Sequence, residues 1–354
     1  MEAAVIGIVG ATGAVGQAAA RALHRWGVSE LRLGGRRKDA LDEFALTLAC
    51  SQVAAVDLFD PAELTAFCNG CDVVLNCAGP AYEVGDRVAR AAVAAGADYV
   101  DAAGDDVLFQ QVARLRPGTA MISAGMMPGL TALLPRYLAR QTPGTPQALT
   151  GYVGGRDRFT VTAAADYFRG GTSFGVARMV LRNRMRIPET APQPEELPFY
   201  PEKASATAFL STETERVCAR LGIADAGWYS VFAGEHVAAV MRGAADAEAL
   251  ARAAALDSFG RQTYQLIVVE LATSSQTKTL VLRGSGASEL TGEFAALSAH
   301  AVAGKRIPAG VHHAGEILDP AEAVARLRDS ASVDDLAVLD GSAQETGCYV
   351  EESV

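Results

Sequence analysis

From Ala3 to about Gln141, short apolar runs rich in β-branched residues alternate with alanine-rich stretches of helical period. This alternation predicts βαβ units and a parallel sheet. Strands are expected at 3–9, 30–34, 52–56, 72–76, 98–101 and 119–123. Between the first two, Val15, Ala19, Ala22, Leu23 and Trp26 recur at helical spacing and give one apolar face to lay on the sheet. Right-handed crossovers then build a doubly wound, Rossmann-like sheet.

After Gln141 the texture changes. Thr142-Pro143-Gly144-Thr145-Pro146 is a turn-rich bridge, and strand-like runs return near 147–154, 228–233, 264–272 and 278–283. The alternation from Gln265 to Leu271, followed by Ser274-Ser275-Gln276, predicts a hairpin in a sheet with one covered face. A helix over 288–303 is expected to cover it. Pro188, Pro192, Pro194, Pro198 and Pro201 exclude regular helix or central strand from 188 to 201 and predict a loop with the makings of a lid. Arg178, Arg182 and Arg186 recur every fourth residue, which on a helix makes one cationic stripe. The class is α/β: a Rossmann-like doubly wound domain over 1–141, an α+β substrate and dimerisation domain over 142–307, and a C-terminal segment, 308–354, returning to the first domain.

Composition narrows the functions. A chain of 354 residues exceeds the usual size of one compact domain, and half of it is hydrophobic with 20% charged, as in folded globular proteins. The net charge of −10 argues against nucleic acid or an anionic membrane as partner and leaves the arginine stripe as either a local reversal that an acidic partner would use or a solvated helix face. With no basic leader at Met1 and no uncharged apolar run of spanning length, a cytoplasmic protein is expected. Six scattered cysteines (Cys50, Cys68, Cys71, Cys77, Cys218, Cys348) are expected to be free thiols. The lone Cys68-x-x-Cys71 pair and the adjacent His312-His313 do not make a metal site, and no Walker loop, H-E-x-x-H or nucleophile elbow occurs. No metal and no covalent intermediate are expected.

The chemistry begins at Gly10-Ala11-Thr12-Gly13-Ala14-Val15-Gly16, which follows a predicted strand and opens a predicted helix. Such a loop lets the backbone approach a pyrophosphate, which the free N–H groups and positive dipole end of the helix then hold. The second strand ends in Arg36-Arg37-Lys38 where an acid would bind the ribose 2′-OH of NAD. A guanidinium there accepts the 2′-phosphate, so NADPH/NADP is the expected cofactor through Arg36 and Arg37. The alternative is that these are solvated charges opening the next helix. Asp57 and Leu58 close the third strand and Cys77-Ala78-Gly79-Pro80 the fourth, where ligands of open α/β sheets sit. Asp57 is read either as a partner for the adenine edge or as a cap of the helix near Pro61.

These residues resemble those of the saccharopine dehydrogenase-like reductases. The resemblance runs through Gly10-Ala11-Thr12-Gly13, Asn76-Cys77-Ala78-Gly79-Pro80 with Tyr82 and Gly85, Ala95-Gly96-Ala97-Asp98-Tyr99-Val100-Asp101, and Gly125-Met126-Met127-Pro128-Gly129-Leu130. A weaker echo extends from Pro308-Ala309-Gly310-Val311 to Asp319-Pro320. The resemblance implies an NAD(P)H-dependent oxidoreductase that interconverts C=N and CH–NH bonds. Gly154-Gly155-Arg156-Asp157-Arg158-Phe159 and Ala163-Ala164-Ala165-Asp166-Tyr167 are similar to stand-alone thiazolinyl imine reductases of siderophore biosynthesis. That finer resemblance implies reduction of a carrier-bound thiazoline to a thiazolidine. Two other readings stay open: a saccharopine- or opine-type dehydrogenase of free amino acids or secondary amines, and a non-catalytic NADPH-sensing regulator on the same fold.

Imine reduction needs a hydride on carbon and a proton on nitrogen. Candidate proton donors are Asp101 and Asp105, just past a strand end, and Tyr167 and His236, with Tyr99 and Tyr152 behind them. Each has a structural alternative: Asp105 as a helix cap, His236 as a satisfied structural histidine, the tyrosines as core with a wet tip. The expected partners are a small-molecule imine, free or tethered to an acidic carrier, and a second copy of the chain joined through the hairpin sheet.

Overall fold

The computed structural model describes residues 4–48, 51–169, 174–189, 196–243 and 246–350. Two units divide the chain, Met1–Leu130 with Ser288–Asp319, and Thr131–Ala287 with Pro320–Val354.

The first unit opens with β1 (Ile6–Val9), α1 (Ala14–Arg25), β2 (Leu31–Gly35), α2 (Lys38–Leu46), β3 (Ser51–Ala55) and α3 (Pro61–Cys68). It continues with β4 (Val73–Asn76), α4 (Ala81–Val84), α5 (Arg87–Ala94), β5 (Asp98–Asp101), α6 (Asp106–Leu115) and β6 (Thr119–Ile122). Every expected strand is present. β1, β4, β5 and β6 are buried along their whole length, as strands covered on both faces must be. Pairing is parallel, in the order β6-β5-β4-β1-β2-β3, so the direction of winding reverses between β1 and β4. The crevice beyond the carboxyl ends of those two strands is where such sheets bind ligands.

The second unit holds α7 (Leu130–Gln141), β7 (Pro146–Arg156), α8 (Val161–Arg169), β8 (Gly175–Ala177), β9 (Met179–Arg182), β10 (Met185–Pro188) and β11 (Ala204–Ser211). There follow α9 (Thr212–Leu221), β12 (Asp225–Ala233), α10 (Glu235–Arg242), α11 (Ala247–Asp257), β13 (Tyr264–Thr273) and β14 (Thr277–Gly284). Then α12 (Ala287–Ala303), β15 (Gly310–His313) and α13 (Ala314–Ile317) belong to the first unit, and α14 (Pro320–Arg328), β16 (Val333–Asp340) and α15 (Ala343–Val350) to the second. The second sheet runs β10-β9-β12-β7-β13-β14-β16, with β11 against β12 and β8. Within it β7 and β12 are parallel, and β13 and β14 form the expected hairpin.

Several expectations are corrected. The helix expected to cover the hairpin, α12, lies on α1 of the first unit, where a Cβ at Gly292 would stand 2.5 Å from Ala18 Cβ. A helix apolar nearly all round, as this one is, does not reveal by its period which sheet it joins. The division therefore falls at 130, 287 and 319 instead of 141 and 307. Only β15 and α13 of the final segment return to the first sheet, β15 pairing with β6, while β16 pairs with β14. The proline-rich segment is no free lid where it is described: Leu197 and Tyr200 are buried against Val231, Tyr264 and Leu266. Pro188 ends an edge strand, the place in a sheet that tolerates proline.

The arginine stripe does not exist. Residues 179–188 form the β9–β10 hairpin, turned by Asn183 and Arg184 at φ 50° and 62°. Arg182 pairs with Met185 and Arg186 with Leu181, which sends Arg182 and Arg186 to opposite faces. Arg186 is held by Glu215 at 2.7 and 2.6 Å. Four-residue spacing is shared by a helix face and a two-strand hairpin, so the period alone could not separate them.

Candidate functional site

The glycine loop of the first unit is tied down on three sides. Gly10 and Ala11 both donate backbone N–H bonds of 3.0 Å to Gly34 O of β2. Gly10 has φ 79°, and a Cβ there would stand 2.8 Å from Ala78 N, so the loops after β1 and β4 touch backbone to backbone. A Cβ at Gly16 would stand 2.2 Å from Gly10 O. Gly13 differs. It is exposed and extended (φ −74°, ψ 163°), and a Cβ would meet only Gly10 O, at 3.2 Å. No side chain caps α1 and no acid stands in its first turn, so its leading N–H groups are presented to a ligand without a competing acceptor. This cradle fits a pyrophosphate.

Arg36 and Arg37 are exposed just past β2. Lys38 is engaged by Asp42 at 2.7 Å, whereas the two guanidinium groups make no ion pair or hydrogen bond among the described residues. Arg37 supplies the backbone cap of α2. Asp60, not Asp57, caps α3, accepting from Ala62 N and Glu63 N at 2.8 and 3.2 Å. Asp57 is exposed, its Oδ1 accepting from Phe59 N at 3.0 Å, and Leu58 packs partly into the core. In the loop after β4, Cys77 N donates to Val9 O at 2.9 Å and Ala78 N to Asn76 Oδ1 at 3.1 Å, leaving Gly79 exposed before Pro80.

The acid candidates fall into two groups. Asp101 is 3% exposed, its Oδ2 accepting from Asn76 Nδ2 at 3.0 Å and from the Tyr99 hydroxyl, its Oδ1 from Ala103 N at 2.9 Å. Burial pushes its carboxyl above the ordinary range. With both oxygens engaged it joins the ends of β4 and β5. Asp105 caps α6 by accepting from Leu108 N at 3.0 Å, the structural alternative foreseen for it. Tyr167 and His236 lie in the second unit on α8 and α10, the helices that follow the parallel strands β7 and β12. Tyr167 packs edge-on to Phe232 at 5.6 Å, and Phe232 and Val237 share one apolar cluster, so Tyr167 and His236 stand beyond the carboxyl ends of one strand pair. The His236 side chain is 57% exposed, and its Nδ1 lies 2.7 Å from Asp257 Oδ1. Tyr152 instead stacks on Tyr229 at 5.3 Å.

Asp257 closes α11 and anchors α10, accepting also from His236 N at 3.2 Å and Val237 N at 2.8 Å. Its burial opposes ionisation, but these hydrogen bonds outweigh it and lower the carboxyl below 3.8. A depressed carboxyl stabilises the fold above its unfolded value and loses that contribution as pH falls through the folded one. Asp257→Asn is therefore expected to cost about 1 kcal/mol near neutrality. Urea melts of both proteins should show the gap closing as pH drops below 3.8; a gap independent of pH would show that the charge contributes nothing.

One polar constellation was not foreseen. Ser123, at φ 58° and 1% exposed, donates through Oγ to Gly104 O at 3.1 Å and lies 3.1 Å from His313 Nδ1. His313 stacks on Phe109 with Nε2 3.6 Å from Asp106, while His312 Nε2 reaches Pro308 O at 3.0 Å. Strand alternation sends the two adjacent histidines apart, which the sequence showed only as a poor metal pair. Among the described residues no group of three or more His, Cys, Asp or Glu is placed to hold a metal ion, and no helix is long and apolar enough to cross a membrane. Cys68, Cys71, Cys77 and Cys218 are free, with burial pushing the Cys68 thiol up to about 12; Cys50 and the Cys348 side chain lie outside the described residues.

Fold and site together define a dinucleotide-dependent oxidoreductase with a doubly wound cofactor unit and a second, mixed-sheet unit. Residues 6–121 match the family model of the saccharopine dehydrogenase NADP binding domain, and NADP(H) is the cofactor of this unit. The fold is similar to that of saccharopine dehydrogenase (L-Glu forming) from Saccharomyces cerevisiae, 11% identical with a TM-score of 0.68 over 96% of this chain and 100% of that one. Triphenylmethane reductase of Citrobacter sp., solved with NADP(H), is similar over 33% of this chain and 48% of its own, at 19% identity and a TM-score of 0.30. No curated protein sequence matches the chain.

Proposed function

We propose that the protein is an NADPH-dependent oxidoreductase of C=N and CH–NH bonds acting on a free amino-acid-derived imine or secondary amine. The observation that carries this reading is the fold shared with saccharopine dehydrogenase along both units, beyond the NADP-binding match. When bound, the cofactor supplies or accepts the hydride. The chain's own residues hold it through the glycine loop and Arg36–Arg37, and handle the proton through His236, oriented by Asp257, with Tyr167 beside the same strand ends.

The finer proposal, a thiazoline delivered on an acidic carrier protein, rests on the resemblance around Gly154–Phe159 and Ala163–Tyr167. Its docking argument lost the arginine stripe. The deciding experiment follows NADPH oxidation with mixtures of 2-oxo acids and amines, with a carrier-bound thiazoline and with a soluble thiazoline analogue. Turnover of the free imines is the expected result. Turnover of thiazolines alone would replace it with the finer reading, and tight NADPH binding without any turnover would favour the regulator.

A further inference from the structure

At the end of the first sheet opposite the glycine loop, the start of β1, the loop between α1 and β2 and the last turn of α12 enclose a cavity of about 230 Å³. α1 runs from the glycine loop to this end, and its 12 residues measure about 18 Å, so the cavity stands well clear of the cofactor's phosphates. Ile6, Val28 and Ala303 give it apolar walls, and its polar side chains are those of Ser29 and His300. No acid lines it, not even Glu30 beside Ser29.

The neighbours of His300 set its chemistry. Nδ1 lies 3.0 Å from Arg306 Nη2, and a guanidinium only donates, so Nδ1 accepts and the neutral ring carries its proton on Nε2. Trp26 meets the ring edge-on at 5.9 Å and fixes its plane. His300 is therefore a donor backed by a cation, and the Ser29 hydroxyl is a second donor. The surrounding charges are already engaged: Arg25 with Glu293, Lys305 with Asp98 at 2.9 Å, and Asp72 with Val5 N at 2.8 Å. Both α1 and α12 end here, but their last carbonyls do not ring the cavity with acceptors. Ala22, Leu23 and His24 accept from Trp26, Val28 and Gly27 N, and His300, Ala301 and Val302 from Gly304, Arg306 and Lys305 N. Donors without a competing carboxylate suit an anion, and the apolar walls suit a short hydrocarbon chain. At about 30 Å³ per water-sized share, the volume holds roughly eight non-hydrogen atoms.

We propose that this cavity is a second ligand site, for a short apolar monocarboxylate. Its chain lies against Ile6, Val28 and Ala303, and its carboxylate accepts from His300 Nε2–H and the Ser29 hydroxyl. The site is independent of the reaction proposed above and is filled together with the cofactor, since the two lie at opposite ends of β1 and α1.

The test is calorimetric titration of the full-length chain with 4-methylpentanoate, with the matching amide and with the matching primary amine, each with and without saturating NADPH. The carboxylate should bind with a dissociation constant of about a millimolar or below, about tenfold tighter than the amide, with the amine weakest and NADPH making no difference. His300→Phe keeps a ring against Trp26 but loses the donor, and should lose about tenfold. Ala303→Phe places a side chain in the cavity and should abolish binding, and NADPH affinity should survive both substitutions. Ser29→Ala, on an exposed loop, should lose several-fold and keeps the test decisive if a bulkier variant fails to fold. Absence of carboxylate binding, tighter binding of the amine, unchanged affinity in Ala303→Phe, or displacement of the carboxylate by NADPH would each overturn the proposal.

Discussion

Gly13→Val is expected to weaken NADPH binding by about a hundredfold or more, some 2.7 kcal/mol, while leaving the unfolding transition nearly in place. The backbone of Gly13 is extended and needs no glycine for its conformation. Its missing side chain faces solvent and meets only Gly10 O, at 3.2 Å. What the valine occupies is the approach to the leading N–H groups of α1, so the loss falls on the ligand. Gly16→Val is the contrasting control, because a Cβ there would stand 2.2 Å from Gly10 O and 2.8 Å from the Ala11 Cα. That variant should unfold at markedly lower denaturant. Calorimetry and urea melts on both separate a ligand-facing glycine from a packing one, and retained tight NADPH binding by Gly13→Val would mean that the pyrophosphate lies elsewhere.

The paired replacement of Arg36 and Arg37 by alanine should reduce NADPH affinity tenfold to about a hundredfold and leave NADH affinity almost unchanged. A charge-assisted phosphate contact contributes about 1.5–3 kcal/mol. The two guanidinium groups have no partner to lose among the described residues, so the substitution removes ligand contacts without opening an internal ion pair. The effect should shrink as salt rises, since exposed charges are screened over roughly 10 Å at 0.1 M. Dissociation constants for both cofactors at two ionic strengths are the measurement. Equal losses for NADPH and NADH would return these arginines to the solvated surface of α2.

Much of the first unit was legible in the chain. Strand runs such as Ile6–Val9 are short, apolar and bounded by turn residues, because a strand buried on both faces favours apolar side chains along its length. The glycine loop was legible for a similar reason: its function depends on backbone, and backbone demands leave a fixed residue type at fixed spacing. Asp60 and Asp105 as caps were within reach of local reasoning, although Asp57 competed for the first role.

The second unit was less legible because its elements are decided by partners distant in sequence. Arg178 to Arg186 carries a spacing that suits a helix, and only the pairing of β9 with β12 and the turn at Asn183-Arg184 make it a hairpin. β16 reads Val-Asp-Asp-Leu-Ala-Val-Leu-Asp, too acidic to announce a strand, yet the open edge of β14 fixes it in register from Lys278↔Asp340 to Arg283↔Asp335. His236 acquires Asp257 from the end of another helix, and Ser123 acquires His313 from a strand 190 residues later. Local periodicity and backbone geometry carry the strand order of the cofactor unit, its glycine loop and the basic end of its second strand. Which helix covers which sheet, and which polar side chains share a site, depends instead on contacts across chain separations that no local pattern encodes.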